Sequence, residues 1–554
     1  MPRNQSGQLE RQYYPIYFEA WVLVHLSGCY TDHKFSASCS PGYKFVPKYH
    51  AEVKSAASSW AKTGATPRIL ATLWQKLILA GDAVIGKEHT DSWHEYALCL
   101  MAIADESSLG IGFTSSSNPF PLLVKYCHKR LAEKKMVSEY LPYLPVSLCM
   151  MVPPNEACVQ PKTITPQVGC TLRSLSHNLA LLPAYNIVST SWLPSIGDGT
   201  ASKSSPLNLL LIPFPYHISG IAFDPQEQIR VGTSATDTDT KHHFFGVNQE
   251  WLKNGDEQIS ADCLVEKLIE PLLNIARKEV GNIHGIVFPE LALTDDHAQK
   301  IAERLAKHST QDLEFFVTGV SLNEETNNNL SRNCATSFVF SGGKVLAYFL
   351  QSKHHRWCLE QTQIQRYHLG HALQPNKSMW WEKIDVSNRT CVFTIIRKGT
   401  TLAVMICEDL ARFDPVHPAV RAVGPNLVIA LLMDGPQLKG RWPGRYATVL
   451  ADDPGCGVLT FTCLGMVRRS VMPGADQQKA IALWKQPDGD AQELNLPIGD
   501  QALVLTLSMH CVEQFTLDGR SDGGATRRFE LSGVRGVRLS KDDAEKLTET
   551  GIKI

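Results

Sequence analysis

Three polar residues stand directly after apolar runs, and their types suit covalent chemistry on an electrophilic carbon. Cys407 follows the run LAVMI and is the second residue of ICEDL (406–410). A thiol at a strand end, on a sharp turn, is presented for attack, and nearby backbone N–H groups can hold an oxyanion. Glu290 ends GIVFPE (285–290). A carboxylate at the rim of a core is partly buried, which raises its pKa and makes it a fair general base. Lys353 lies in YFLQSKHHRW (348–357), where another apolar run gives out. An ammonium there can stabilise a developing negative charge. Each residue alone has an ordinary explanation. The chain has 15 cysteines, and most cysteines are small core residues. A strand-end glutamate is commonly a loop-entry acid, and a lysine is commonly on the surface. The three become informative as a set, because each follows an apolar strand, in the order Glu, Lys, Cys, with separations of 63 and 54 residues.

The elements that must position them are legible as short apolar runs after residue 206. They are LNLLLIPFPY (207–216), HGIVFPE (284–290), EFFVTGVSL (314–322), CATSFVFSGGKVLAYF (334–349), CVFTIIRKGTTLAVMIC (391–407), NLVIALLM (426–433), VLTFTC (458–463) and QALVLTLSM (501–509). Unbroken runs of this kind suit strands buried on both faces. Ser341–Lys344 and Arg397–Thr400 carry glycine where a hairpin needs positive φ. The SGG of the first is read as a hairpin and not as an ATP-pyrophosphate loop, which would need downstream Asp and Ser residues absent here. Helical patterns lie between strands, from about Ser260 to Val280, from Asp295, and near Tyr446–Asp453. Strands mixed with helices predict an α/β domain with helices covering sheets.

At this point the sequence resembles the nitrilase superfamily of carbon–nitrogen hydrolases, whose members use a Glu-Lys-Cys triad in this order. FPE after an apolar strand, a hairpin followed by Lys with His close behind, and ICED all match family motifs, and the resemblance covers about 300 residues. The ICEDL form is most similar to the superfamily's glutaminase domains, such as the one attached to NAD synthetases. The resemblance implies an α/β fold, the four-layer α-β-β-α sandwich, over 205–515. It implies that Glu290 is the general base and Cys407 the nucleophile that forms a thioester. Lys353 would hold the oxyanion with help from the backbone N–H of Glu408. A second glutamate shortly after the lysine often orients it, and Glu360 is the candidate. The substrate would be a small amide, carbamyl compound or nitrile, no cofactor is implied, and self-association as a dimer or larger homo-oligomer is expected. Two departures stand out. The segment KHHRWCLEQTQIQRYHLGH between Lys353 and Cys407 is long and polar, and ARFDP matches the family's Arg-Phe-Pro stretch only in part.

Length and composition bound the rest. At about 100–200 residues per domain, the 554 residues allow two to four. Residues 1–200 read as a mainly helical N-terminal domain, with helices after Thr66-Pro67, over Asp91–Asp105, near Pro119 and from Thr171. GDGTASKSSP (197–206) reads as a linker, and 516–554 as a C-terminal extension. The N-terminal region fits a protein partner, a cover for the site or an oligomer contact. A formal net charge of −1 gives no broad field for nucleic acid or anionic lipid. No apolar run reaches membrane-spanning length, no signal-peptide pattern opens the chain, and the odd, scattered cysteines do not form a disulfide framework. A cytoplasmic protein is expected. His354, His355, His368 and His371 lack the carboxylate or thiolate spacing of a metal site. Two other function classes fit the same sequence. One is an oligomeric scaffold, regulatory or defence component in which catalysis is secondary or lost. The other is an ammonia-supplying subunit for a separate synthetase, since the chain contains no GxxxxGK[ST] loop.

Overall fold

The computed structural model describes residues 13–28, 47–63, 65–81, 93–109, 157–159, 163, 171–182, 189–193, 206–226, 243–308, 312–322, 330–341, 343–374, 379–397, 400–470 and 479–554. The expected helix near Pro119, most of the expected linker at 197–206, and Gly342, Lys398 and Gly399 of the two expected hairpin turns lie outside the described residues.

The protein is mixed α/β. Among the described residues the first elements are the helices α1 (Tyr13–Ser27), α2 (Pro47–Thr63), α3 (Arg68–Leu79) and α4 (Trp93–Ser107). The first three pack on α4, which is buried along nearly its whole length, in a core that also takes in Leu172, Leu175, Leu179 and Leu517. Helix α3 begins one residue later than the sequence reading, with Pro67 at the cap and no side-chain capping bond. The helix expected from Thr171 does not form. Residues Leu172–Leu175 make one 3-10 turn and Leu179–Leu181 a short strand. The cause is tertiary. The buried Asp105 carboxylate accepts from the backbone N–H groups of His177, Asn178 and Leu179 at 2.8–2.9 Å, which holds that segment open against the helical pattern.

Two large sheets follow. Their strands are β1 (Ser189–Leu193), β2 (Leu207–Leu211), β3 (Gly285–Val287), β4 (Phe315–Leu322), β5 (Arg332–Ser341), β6 (Lys344–Ser352), β7 (Thr390–Arg397), β8 (Thr400–Ile406), β9 (Leu427–Leu432), β10 (Gly457–Thr462), β11 (Ala480–Lys485), β12 (Gln492–Asn495), β13 (Ala502–Val512) and β14 (Thr526–Val537). The first sheet runs β6-β5-β4-β3-β2-β13-β14, and the second β12-β11-β10-β9-β8-β7-β1. Strands β2, β3 and β4 are parallel, as are β8, β9 and β10. Outside the expected 205–515 range, β1 pairs with β7 and β14 pairs along β13.

Strands β2, β8 and β9 are buried at every residue. Alternate side chains of β8 and β9 serve different cores. Leu402, Val404, Ile406, Leu427, Ile429 and Leu431 join a core shared with the first sheet. Ala403, Met405, Val428 and Ala430 join helices Val416–Val423 and Trp442–Asp452. Gln351 of β6 is a buried polar staple between the sheets. Its Nε2 donates to Val404 O at 2.9 Å and its Oε1 accepts from Val392 N at 2.8 Å. That fixes the strand leading to Lys353 against the strand leading to Cys407. Among the described residues no helix is long and apolar enough to cross a membrane.

Candidate active site

Glu290 follows β3 by three residues. Val317 O accepts from Phe288 N at 2.9 Å and Pro289 O accepts from Gly319 N at 3.1 Å, so β4 carries the pairing right up to the glutamate. Gly319 makes this approach possible, because a Cβ there would sit 2.4 Å from Glu290 Cα. Lys353 follows β6, and its N–H donates to Asn333 O at 2.8 Å, one step beyond the β5–β6 ladder. The fully buried ammonium lies between two carboxylates, with Nζ at 2.8 Å from Glu290 Oε1 and 2.8 Å from Glu382 Oε2. Asn333 Nδ2 bridges the same pair, donating to Glu290 Oε1 at 2.8 Å and to Glu382 Oε1 at 2.9 Å. Trp357 N donates to Glu382 Oε2 at 3.0 Å. Glu290 Oε2 is buried and takes no hydrogen bond among the described residues.

Cys407 follows β8 and opens the 3-10 turn Cys407–Leu410. Its φ of +44° is one that a side-chain-bearing residue adopts at a cost. The side chain is buried. Asp409, also buried, ties this turn to the segment after Lys353. Its carboxylate accepts from His354 N at 3.1 Å and contacts His355 Nδ1 at 2.9 Å. Gln351 and Asp409 thus hold the two segments together from either side of Lys353.

The electrostatics are those of a dry site. Burial pushes Glu290 up from the usual carboxylate range; the Lys353 ammonium opposes this, and Glu382 adds to it. Burial also raises the Cys407 thiol, helped by the Glu290 charge and opposed by Lys353. Burial alone would lower Lys353, but Glu290, Glu382 and Cys407 outweigh it and hold the ammonium charged. Burial thus favours the neutral thiol, while the two carboxylates favour the charged lysine. Such a thiol becomes a nucleophile when the neighbouring base takes its proton.

The other expected residues fall as follows. Glu408 is half-buried in the Cys407 turn, with its carboxylate 3.5 Å from Arg412. Glu360 is not at Lys353. It is exposed and caps the helix Gln361–Arg366 in a box with Gln363. The second carboxylate on Lys353 is Glu382, at the end of the strand Met379–Glu382. That strand pairs antiparallel with Cys358–Glu360, with Glu360 opposite Met379, so the returning chain brings a different glutamate to the lysine. The run MWWE carried the signal, since it is an apolar stretch ending in an acid, like FPE. Asn333, Asp409 and Gln351 had no comparable sequence signal. The histidines have separate duties. His354 Nε2 lies 3.2 Å from Thr390 O, and His368 sits at a φ of +53°. Among the described residues no group of three or more His, Cys, Asp or Glu side chains could hold a metal ion.

No protein-family model and no curated protein matches this chain. Among solved structures it is similar to a glutamine-dependent NAD+ synthetase from Acinetobacter baumannii in complex with ADP, with 15% identity, 62% of this chain covered and a TM-score of 0.32. The chain spans 50% of that synthetase's length. It is also similar to an amidase from Nesterenkonia sp., with 13% identity, 56% of this chain and 93% of the other covered, and a TM-score of 0.32. A cysteine variant of the amidase from Nesterenkonia sp. AN1 in complex with butyramide matches at 11% identity, 63% and 96% coverage, and a TM-score of 0.31.

Proposed function

We propose that this protein is a carbon–nitrogen hydrolase of the nitrilase type, acting on a non-peptide amide, carbamyl compound or nitrile through a cysteine thioester. In this reading the two sheets stack face to face between outer helices as a four-layer sandwich. The split of the β8 and β9 side chains between two cores supports that layering. One observation carries the functional reading. A buried lysine is clamped by Glu290 and Glu382, Glu290 keeps one carboxylate oxygen bare, and both the Glu290 and Lys353 charges act on the thiol of a positive-φ cysteine.

The chemistry follows from those groups. Glu290 Oε2 takes the thiol proton as Cys407 Sγ attacks the carbonyl carbon. The electron pair of the C=O bond moves to oxygen, and the oxyanion is held by the Lys353 ammonium and the Glu408 N–H. The tetrahedral species collapses, the C–N bond breaks, and Glu290 returns its proton to the departing nitrogen, releasing ammonia. Water then gives a proton to Glu290 and attacks the thioester, and collapse of the second tetrahedral species frees the acid and regenerates the thiol. Glu382 touches no reacting atom in this scheme. It positions Lys353 and keeps it charged.

The test is ammonia release from a panel of primary amides, nitriles and carbamyl compounds, glutamine included. The natural protein is compared with Cys407→Ala. Release that disappears in the variant supports the hydrolase. No release from any compound, with both proteins equally folded, sinks it and favours a scaffold.

A further inference from the structure

A buried carboxylate beside the thiol has no part in the chemistry above. Asp434 lies two residues beyond the end of β9. Ile406 is paired with Leu431, so the carboxyl ends of the adjacent parallel strands β8 and β9 deliver Cys407 and Asp434 to one rim, where α/β proteins place their ligands. Asp434 is only 5% exposed. Its backbone is pinned to β10, with Asp434 N donating to Thr462 Oγ1 at 3.1 Å and that hydroxyl donating to Asp434 O at 2.6 Å. Tyr367 Oη donates to Oδ1, and Arg441 Nη2 donates to the same oxygen at 2.8 Å.

All of the side chain's bonding therefore falls on Oδ1. Oδ2 is buried and has no hydrogen-bond partner among the described residues. A structural role accounts for Oδ1 and leaves Oδ2 unexplained, and a bare buried acceptor is costly to maintain. The other bare carboxylate oxygen at this rim is Glu290 Oε2, which the proposed chemistry uses. The charges point the same way. Within the ion pairs named, Glu290, Glu382 and Asp434 face Lys353 and Arg441, three carboxylates against two cations. Apolar side chains pack around Tyr367. Met433, Cys463, Leu291, Trp357 and Tyr367 share one core cluster. A group that brings one positive charge and an N–H donor satisfies the bare oxygen and offsets the third carboxylate. An anionic group does neither.

We propose that Asp434 Oδ2 is a substrate-binding acceptor, and that the preferred substrate is an amide whose acyl portion carries a protonated amine. This rests on the hydrolase reading, and its test separates the two. With the full-length protein, kcat/KM is measured for ω-amino amides of two to five carbons, for alkyl amides of equal heavy-atom count, and for the matching ω-carboxy amides. The expected preference for the best amino amide over its alkyl counterpart is roughly 10- to 100-fold, the range that a charge-assisted hydrogen bond provides. In Asp434→Asn that ratio falls toward one. Tyr367→Phe removes a bond to Oδ1 but leaves Oδ2, so the preference should persist. Equal or better turnover of alkyl or carboxy amides by the natural protein overturns the proposal, whether or not Asp434→Asn folds. So does an unchanged ratio in a folded Asp434→Asn. Calorimetric binding of the same amides to Cys407→Ala covers the remaining case. Selective, Asp434-dependent binding without any turnover by the natural protein leaves recognition standing and removes the hydrolase. Turnover without amine preference does the reverse.

Discussion

Replacing Glu382 by Gln isolates the electrostatic part of the lysine clamp. The side chain keeps its size, but one of the two charges on Lys353 Nζ is lost. At 2.8 Å two unit charges attract by about 6 kcal/mol at an effective dielectric of about 20. Glu382 also repels Glu290, with which it shares both Lys353 and Asn333, so part of that attraction is returned when the charge is removed. Breaking a buried pair outright costs about 3–5 kcal/mol. Gln keeps one oxygen for Lys353 or the Trp357 amide. The expected loss of stability is therefore about 2–3 kcal/mol, below that range. Loss of a fixed, charged oxyanion partner costs about 100-fold or more, and a lysine freed on one side should lower kcat/KM by about that factor. The readouts are the urea midpoint and ammonia release on the best substrate. Glu360→Gln is the control, because that residue is exposed and caps a surface helix, so its activity should stay within about twofold of the natural protein. A Glu382→Gln protein that keeps natural activity while Glu360→Gln loses it would refute the assignment of the second carboxylate.

The remaining expectations follow from single observations. Gly319→Ala places a Cβ 2.4 Å from Glu290 Cα and 2.6 Å from Leu291 N; the backbone must move, and a displacement on the order of 1 Å should cost about 100-fold in kcat/KM, so unimpaired activity in the folded variant would show that Glu290 does not need this seat. Glu290 is held above the usual carboxylate range, and a protonated Glu290 cannot take the thiol proton; the acid limb of kcat/KM should therefore lie above that range, with activity lost as pH falls through it. Glu382 is one of the charges that raise Glu290, so Glu382→Gln should move this limb to lower pH, and a shift to higher pH would contradict the clamp. Arg520 is fully buried and binds Asp105 at 3.0 Å, Glu106 at 2.9 Å, Asp518 at 2.9 Å and Leu175 O at 2.7 Å; Arg520→Met strands those acids and should cost about 3–5 kcal/mol, with the N-terminal helices becoming sensitive to limited proteolysis, whereas an unchanged melt and cleavage pattern would show that this cluster does not hold the helices down.

The strands around the site were legible because they are apolar on both faces. An unbroken run such as LVIALL or LAVMI has few alternatives to a buried strand, and the residue that ends such a run reaches the rim of the core. That rule singles out Glu290, Lys353 and Cys407 in the sequence, and in the structure Glu290 Oε1 lies 2.8 Å from Lys353 Nζ. It would also have found Glu382, which ends MWWE, had closeness in sequence to Lys353 not pointed to Glu360. The rule says nothing about chain reversal. After Glu360 the chain turns through a helix and comes back antiparallel, and only the pairing of Glu360 with Met379 decides which carboxylate reaches the lysine. The error at Thr171 has the same origin. The pattern there is helical, but three backbone N–H groups are claimed by Asp105, some seventy residues earlier. Bonds of this range leave no trace in local periodicity.

The difference at the site lies in one stretch. The segment between Lys353 and Cys407 supplies Trp357, Tyr367 and Glu382, hence the second carboxylate, part of the aromatic wall and the hydroxyl that holds Asp434. Its two ends are fixed independently of its length. Gln351 fastens β6 to β8 and β7 before the segment begins, and Asp409 fastens the two residues after Lys353 to the turn after Cys407. With both ends stapled, the chain between them can be long and polar without changing how Lys353 sits relative to Cys407. The reacting groups thus depend on short, buried, strand-end contacts. The segment between them is the part that packing leaves free to differ.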